Sequence, residues 1–331
     1  MRFLVGALAL ATFLSAKPGG DLWSALQSRI RLADSELSDV DRGEIVSKVL
    51  SSTNSREVAA FGMVQVAATG DILVTRFRDI TNFKKTDEVL QIGKFANPPV
   101  VEDLKALTLD AADVDAIRAC SVGRCDLKLS RAMIERLGRT RNSADLAQTY
   151  RQALSDYLQS YLTTGNSALV KYEDRAGGTN LAEEFKDLMA TAPYLRQYSP
   201  DFFSYLQTFP RGKPQGVEEF VYWSKEKFGL KPVISMTHVF IYRRPGTDDV
   251  LIVSKQIYAS HYFDSSIGIS GSIAASRKGE APRSYLVYLN RSRLDALGGL
   301  LSSVITSVIQ SQIQDGLTKN LRLAKQRLER P

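Results

Sequence analysis

The last third of the chain reads strand, strand, strand, long helix, and this order limits the folds open to it. Residues 233–243 and 250–263 are rich in β-branched and aromatic side chains, and Pro245, Gly246, Asp248 and Asp249 separate them as a hairpin turn would. A third apolar run, Tyr285 to Leu289, follows a polar, glycine-containing stretch, and Arg293 to Arg330 reads as helix. Three antiparallel strands closed by one long amphipathic helix predict an α+β fold. A curved antiparallel sheet would grip the C-terminal helix and could enclose an apolar cavity.

The start of the chain points to export. Met1-Arg2 is followed by an almost wholly apolar run, Phe3 to Leu14, and then by the small residues Ser15 and Ala16. Residues 1–16 are expected to be a secretory signal peptide, because the apolar run falls well short of the ~20 residues a spanning helix needs. The expected location is therefore periplasmic or extracellular. Residues 17–331 read as one domain, and 44% apolar content is enough for a sizeable core without a disulfide framework. The net charge of +7 is spread along the chain. It reads as a solvated surface, and an exported chain has no reason to meet nucleic acid.

Cys120 and Cys125 are the two cysteines of the chain. In an oxidising compartment this close pair predicts a disulfide, with Gly123 turning the loop. A zinc site would need two more ligands from His238 and His261, the two histidines present, and a redox pair would want closer spacing.

Further upstream, helices are expected from Asp21 and from Asp39 or Asp41, the latter carrying Ile45, Val46, Val49 and Leu50. Residues 57–68 read as strand, 71–83 as helix and 88–95 as strand. Residues 100–228 read as a helical insertion. Ser130 and Ser143 are its caps, Gly165-Asn166 is a helix stop, and the aromatics from Tyr194 to Trp223 form a dense cluster. A helical turn is expected at Ser224–Gly229.

Three segments, EVAAFGMVQVAAT from Glu57, GDILVTRFRDITNF from Gly70 and YLVYLNRSRLDALGGLLSSVITSVIQSQI from Tyr285, resemble the START-like, helix-grip superfamily of lipid- and hydrophobe-binding domains. The stretches YWSKEKFGLKPVISMTHVFIY and SKQIYASHYFD also look like a family of uncharacterised secreted bacterial proteins. The superfamily resemblance implies a cavity for a sterol, phospholipid, polyketide or other apolar molecule, and it implies no catalytic set.

Strand parity then selects candidate lining residues. His261 shares a strand face with Lys255, Ile257, Ala259 and Phe263, with Tyr258 pointing the other way. His238 shares a face with Phe240 and Tyr242 on the neighbouring strand. With Tyr285, and with Leu301 and Val304 from the helix, the expected ligand-binding set is His238, Phe240, Tyr242, Lys255, Tyr258, His261, Tyr285, Leu301 and Val304. A histidine near neutrality could act as acid or base, so His261 is the catalytic candidate of an alternative reading, an exported hydrolase. Against this stands a hydrogen-bonded core histidine. Nucleophile elbow, zincin, Walker A and dinucleotide fingerprints are absent, and no cofactor or metal is expected. Lys319, Arg322, Lys325, Arg327 and Arg330 complement the dipole of the final helix and could also touch anionic lipid. The leading expectation is an exported protein that binds a hydrophobic or amphipathic small molecule, with lipid among the candidates. A structural envelope protein without a ligand is the third reading.

Overall fold

The computed structural model describes residues 30–140, 142–227, 231–275, 281–295 and 302–330, with backbone alone at 143 and 302–310. The expected signal peptide, most of the first expected helix, and Leu301 lie outside the described residues, as does the side chain of Val304.

The fold is α+β. Helix α1 (Asp34–Asp41) leads to strands β1 (Val46–Leu50) and β2 (Glu57–Val66). Helices α2 (Gly70–Arg78) and α3 (Ile80–Phe83) then precede β3 (Val89–Lys94). Six helices follow: α4 (Ala111–Ala119), α5 (Arg131–Gly138), α6 (Ser143–Thr164), α7 (Leu181–Ala190), α8 (Pro193–Tyr198) and α9 (Pro200–Thr208). A two-residue ribbon, β4 (Lys171–Tyr172) and β5 (Thr179–Asn180), lies among them. Strands β6 (Val217–Lys227), β7 (Pro232–Arg243), β8 (Val250–Ala259), β9 (Phe263–Ala274) and β10 (Ser284–Leu294) lead to the final helix, α10 (Ser302–Glu329). Eight strands form one antiparallel sheet in the order β1-β2-β10-β9-β8-β7-β6-β3.

Four sequence expectations need correction. Ile45 to Leu50 was expected to be helical, but Gly43, at φ +85°, ends the chain's turn out of α1 and residues 46–50 pair with β2. The spacing of Ile45, Val46, Val49 and Leu50 suits either state, and strand pairing decides between them. The expected helical turn at Ser224 is the end of β6. Its charges are accommodated inside the ladder because Lys225 meets Asp110 and Asp113 while Glu226 meets Lys84 at 2.7 Å. The helical insertion therefore ends before Val217. The polar stretch before Tyr285 contains a twelve-residue strand, β9. Its alternating Ile267, Ile269 and Ile273 face the core, with serine and glycine between them. Finally, residues 293–294 still belong to β10 rather than to the helix.

Each face of the sheet has its own cover. On one face, α10, α2 and α3 pack over Ala60, Val64, Val239, Ile241, Val250, Ile252 and Leu286. On the other, α4 to α9 bury Phe61, Met63, Met236, Phe240, Leu251, Val253, Ile269 and Val287. The grip of α10 on β2 is tight at Gly62, where an added Cβ would lie 2.4 Å from Leu321 Cδ1. Glycine at this position lets the helix backbone approach the strand.

Candidate functional site

The centre of the β7–β8 hairpin carries the polar side chains that the sequence singles out. His238 pairs with Lys255 across the ladder, Phe240 with Val253, and Tyr242 with Leu251. The register shifts next to Met236, so that Met236 pairs with Tyr258, Thr237 pairs with Gln256, and Ile257 is left without a partner. That bulge resets the parity of β8. Tyr258 therefore joins His238, Phe240, Tyr242 and Lys255 on the face covered by α4 to α9, contrary to the alternation expected from the sequence.

His238, Phe240, Tyr242, Lys255 and Tyr258 of the expected ligand-binding set thus lie on the opposite face from α10. They do not line a space between the sheet and that helix. Several are engaged in packing: Tyr258 shares a 2.9 Å hydroxyl contact with Tyr150, and Tyr242 stacks on Phe202 with ring centroids 4.6 Å apart. Tyr285 sits at the far side of the sheet, and its hydroxyl donates to Asp41 at 2.5 Å. A cavity on the helical face, lined by Tyr194, Leu195, Leu251, Ile269, Val287 and Leu289, measures about 10 Å³. That is room for about one water molecule and not for a lipid.

Lys255 is fully buried. Its ammonium nitrogen lies 3.9 Å from the ring centroid of Phe185 and 5.2 Å from that of Tyr161, and it donates to Asn166 Oδ1 at 2.5 Å. Burial pushes its pKa well below the ordinary lysine value. The neutral amine is favoured because a charge here would lack both water and a carboxylate partner.

Asn166 is held in turn by the end of α9. Its Nδ2 donates to the carbonyls of Leu206 at 2.9 Å and Gln207 at 2.8 Å, and its backbone N–H donates to Phe209 at 3.2 Å. This close approach of two chain segments depends on Gly165, at φ +79°, where an added Cβ would fall 1.8 Å from the Phe209 carbonyl oxygen. Above Asn166 the surface opens into a groove of about 490 Å³, lined by Thr163, Thr164, Ser167, Gln207, Thr208 and Arg211, with Phe209 and Pro210 also bordering it. Asn166 therefore both borders the groove and holds the buried amine.

His238 completes the cluster. The Tyr161 hydroxyl lies 3.0 Å from its Nδ1, and Nε2 lies 3.7 Å from Glu219 Oε2 without a hydrogen-bond partner. Burial comes first in holding the imidazole well below its usual pKa, and the nearness of the basic groups Lys255 and Lys213 adds to it. Tyr161 is held as the protonated phenol, mainly by burial, so it donates to Nδ1 and the histidine proton is assigned to Nε2, facing Glu219. Glu219 accepts from Tyr205 at 2.8 Å and from Lys213 at 3.0 Å. A polar line thus runs from the surface at Lys213 through Glu219 and His238 to Tyr161, whose ring abuts Lys255.

His261 belongs to a separate cluster. It lies in the turn after β8, next to Tyr262 at φ 61°, so strand parity does not apply to it. Its Nδ1 is 3.1 Å from the Asp126 carbonyl, and its Nε2 is 3.8 Å from Asp113 Oδ1. Asp113 also faces Lys225 at 3.4 Å. With 4% exposure, His261 has the surroundings of a packed core histidine.

Asp264 is the hub of a third cluster. Fully buried, it accepts from Arg56 at 2.6 Å, Lys128 at 2.8 Å and Arg175 at 2.8 Å. Arg56 and Arg293 both reach Glu184, at 2.8 and 2.6 Å. Burial alone would raise the Asp264 pKa, and Lys128 and Arg175 overcome it, so the carboxyl sits below its usual range. Among the described residues no group of three His, Cys, Asp or Glu side chains could hold a metal ion.

Cys120 and Cys125 are at disulfide bonding distance, closing a loop between α4 and α5. Several basic residues of α10 are engaged within the fold. Lys319 pairs with Glu88, Lys325 with Glu329 and the Gln65 carbonyl, and Arg327 with the carbonyls of Phe83 and Lys85. No helix among the described residues is long and apolar enough to cross a membrane.

Sequence reasoning placed His238 and Lys255 but missed Tyr161, Phe185 and Glu219 as their neighbours. Asn166 was legible as a helix stop, and nothing local marks it as a partner of a strand residue 89 positions away.

No protein-family model matches the chain, and no curated protein matches it. Among solved structures, the Zhui aromatase/cyclase from Streptomyces sp. R1128 is similar at 14% identity with a TM-score of 0.23, over 39% of this chain and 78% of that one.

Proposed function

We propose that this is an exported binding protein of the START-like, helix-grip type whose ligand is an amphipathic small molecule, seated in the groove above Asn166. The observation that carries this reading is the groove itself. At about 490 Å³ it falls within the range of small-molecule sites, and it combines the apolar ring of Pro210 with hydroxyl, amide and guanidinium groups, while the Phe209 ring beneath packs inward against Tyr161 and His238. Such a lining suits a molecule with a short apolar body and a polar or anionic end, which Arg211 would face. The tight contact of α10 at Gly62 and the water-sized cavity under α8 favour this groove over the sheet–helix space as the place for a guest.

Export is supported by the apolar leader-like start of the sequence and by the cysteine pair at bonding distance, which suits an oxidising compartment.

The test is mass spectrometry of small molecules carried through native purification, repeated on Ser167→Trp. Ser167 is exposed on the groove wall, so the indole fills the groove without disturbing the core. The expected result is a co-purifying amphiphile that is lost from Ser167→Trp while the thermal midpoint is unchanged. Equal retention by both proteins would overturn the groove as the site.

A further inference from the structure

Lys255 is a costly residue for its position. A methionine of similar length would fill the same aromatic slot without a polar atom to satisfy. The amine instead points along the sheet toward Asn166, the residue that borders the groove. Phe185 and Tyr161 flank it, and His238 stands beside it across the ladder. No carboxylate pairs with it among the described residues, whereas Lys128 and Lys225, the other fully buried lysines, each meet aspartates.

We propose that Lys255 captures a carbonyl compound: an aldehyde bound in the groove reacts with the Lys255 amine to form an imine. This rests on the groove being the ligand site. The nitrogen lone pair attacks the carbonyl carbon, a C–N bond forms, and the C=O π bond opens to an oxygen that takes one amine proton. The resulting carbinolamine loses its hydroxyl together with the second amine proton as water, leaving C=N. Aldehyde and amine become imine and water, and neither oxidant nor reductant is consumed.

Three features fit this step. The amine is neutral in its buried setting and so has a free lone pair for attack. Asn166 accepts a hydrogen bond from Nζ without supplying the negative charge that would keep it protonated. The slot is apolar, so water that would hydrolyse an imine is excluded once the groove is filled. Rotation of the Asn166 side chain is the motion needed to join the groove to the amine.

The experiment treats the full folded protein with glyoxylate and sodium cyanoborohydride near neutral pH and maps the modified lysines by peptide mass spectrometry. Lys255 should be labelled about tenfold faster or more than the exposed Lys171, because its amine sits in a buried slot against a neutral partner and keeps a free lone pair. Asn166→Asp places a carboxylate against Nζ, restores the ammonium, and should lower labelling of Lys255 about tenfold while leaving that of Lys171 unchanged. Failure to label Lys255 in the wild-type protein while Lys171 reacts would overturn the proposal, whether or not the variant folds. Equal labelling of Lys255 in wild type and folded Asn166→Asp would overturn it too. Ser167→Trp separates the two readings. If it leaves the labelling of Lys255 intact, the groove assignment falls, and with it capture from the groove: Lys255 then takes the carbonyl by another route. If an amphiphile is retained in the groove but Lys255 stays unlabelled, capture falls and the groove assignment stands.

Discussion

His238 faces Lys255 directly across the β7–β8 ladder, and both side chains point away from helix α10 into the helical layer. Two basic side chains side by side in a buried layer cannot both carry charge cheaply. Burial holds each below its usual pKa, and each meets a neutral hydrogen-bond partner, Tyr161 at Nδ1 of the imidazole and Asn166 at the amine. The pair is thus kept in its uncharged form by the helices α6, α7 and α9 that cover it.

This arrangement predicts that Lys255→Met is not destabilising. Removing a buried polar group relieves a desolvation cost of ~1–3 kcal/mol, against a net ~0.5–1.5 kcal/mol for the hydrogen bond it made. Urea denaturation should show a midpoint equal to or above that of the wild type. A clear loss of stability would mean that the hydrogen bond to Asn166 and the ring contacts outweigh the cost of burying the amine.

Gly165 should tolerate no side chain. Alanine there would adopt φ +79° with its Cβ driven into the Phe209 carbonyl, so Gly165→Ala is expected to cost more than ~1 kcal/mol in chemical denaturation. It should also abolish ligand retention, because the same contact builds the groove. A variant as stable as the wild type would show that the α6–α9 junction is loose.

Removing the carboxylate of Asp264 takes the shared partner from three cations, of which Arg56 keeps Glu184 and Lys128 keeps Asp295. Asp264→Ala should cost ~3–5 kcal/mol, the penalty for breaking a buried ion network from one side. The folded-state pKa lies below the unfolded value of ~3.9, so this stabilisation is present above about pH 4 and is lost as pH falls through the folded pKa. The gap between wild type and Asp264→Ala in equilibrium unfolding should therefore narrow under acid. A gap independent of pH would point to packing rather than charge.

Asp249 carries the opposite sign. Burial raises its pKa and leaves Oδ2 without a hydrogen-bond partner. Its favourable protonated state is fully available below the unfolded pKa of ~3.9 and is lost as pH rises through the folded value. Asp249→Asn should accordingly raise the thermal midpoint at neutral pH and have little effect below pH 4. A lower midpoint at neutral pH would refute this account.

The cysteine pair makes the simplest test of the oxidised state. Thiol titration of the unreduced, folded protein should detect almost no free thiol, and Cys120→Ser/Cys125→Ser should lose ~2 kcal/mol, the modest effect expected of a short loop. Two reactive thiols would remove one support for export.

The sequence by itself determined the element types wherever a segment's own pattern is strong. The β7–β8 hairpin, strand β2, helices α2 and α5 and the long C-terminal helix follow from β-branched alternation, caps and helical spacing, and with them came the α+β class. These signals are local, since each depends on neighbours within a few residues. Tertiary structure decided what local patterns leave open. Pairing with β2 made a strand of Val46–Leu50, whose spacing fits a helix equally well. Lys84, Asp110 and Asp113 made it possible for Lys225 and Glu226 to sit inside a strand, because a charge can be buried when the fold brings its counter-ion from far along the chain. A single bulge opposite Met236 turned Tyr258 to the other face, and the helical layer rather than α10 came to cover His238 and Lys255. Which face a strand residue occupies is a property of the strand, but what lies over that face depends on chain segments that meet only when the whole sheet is assembled.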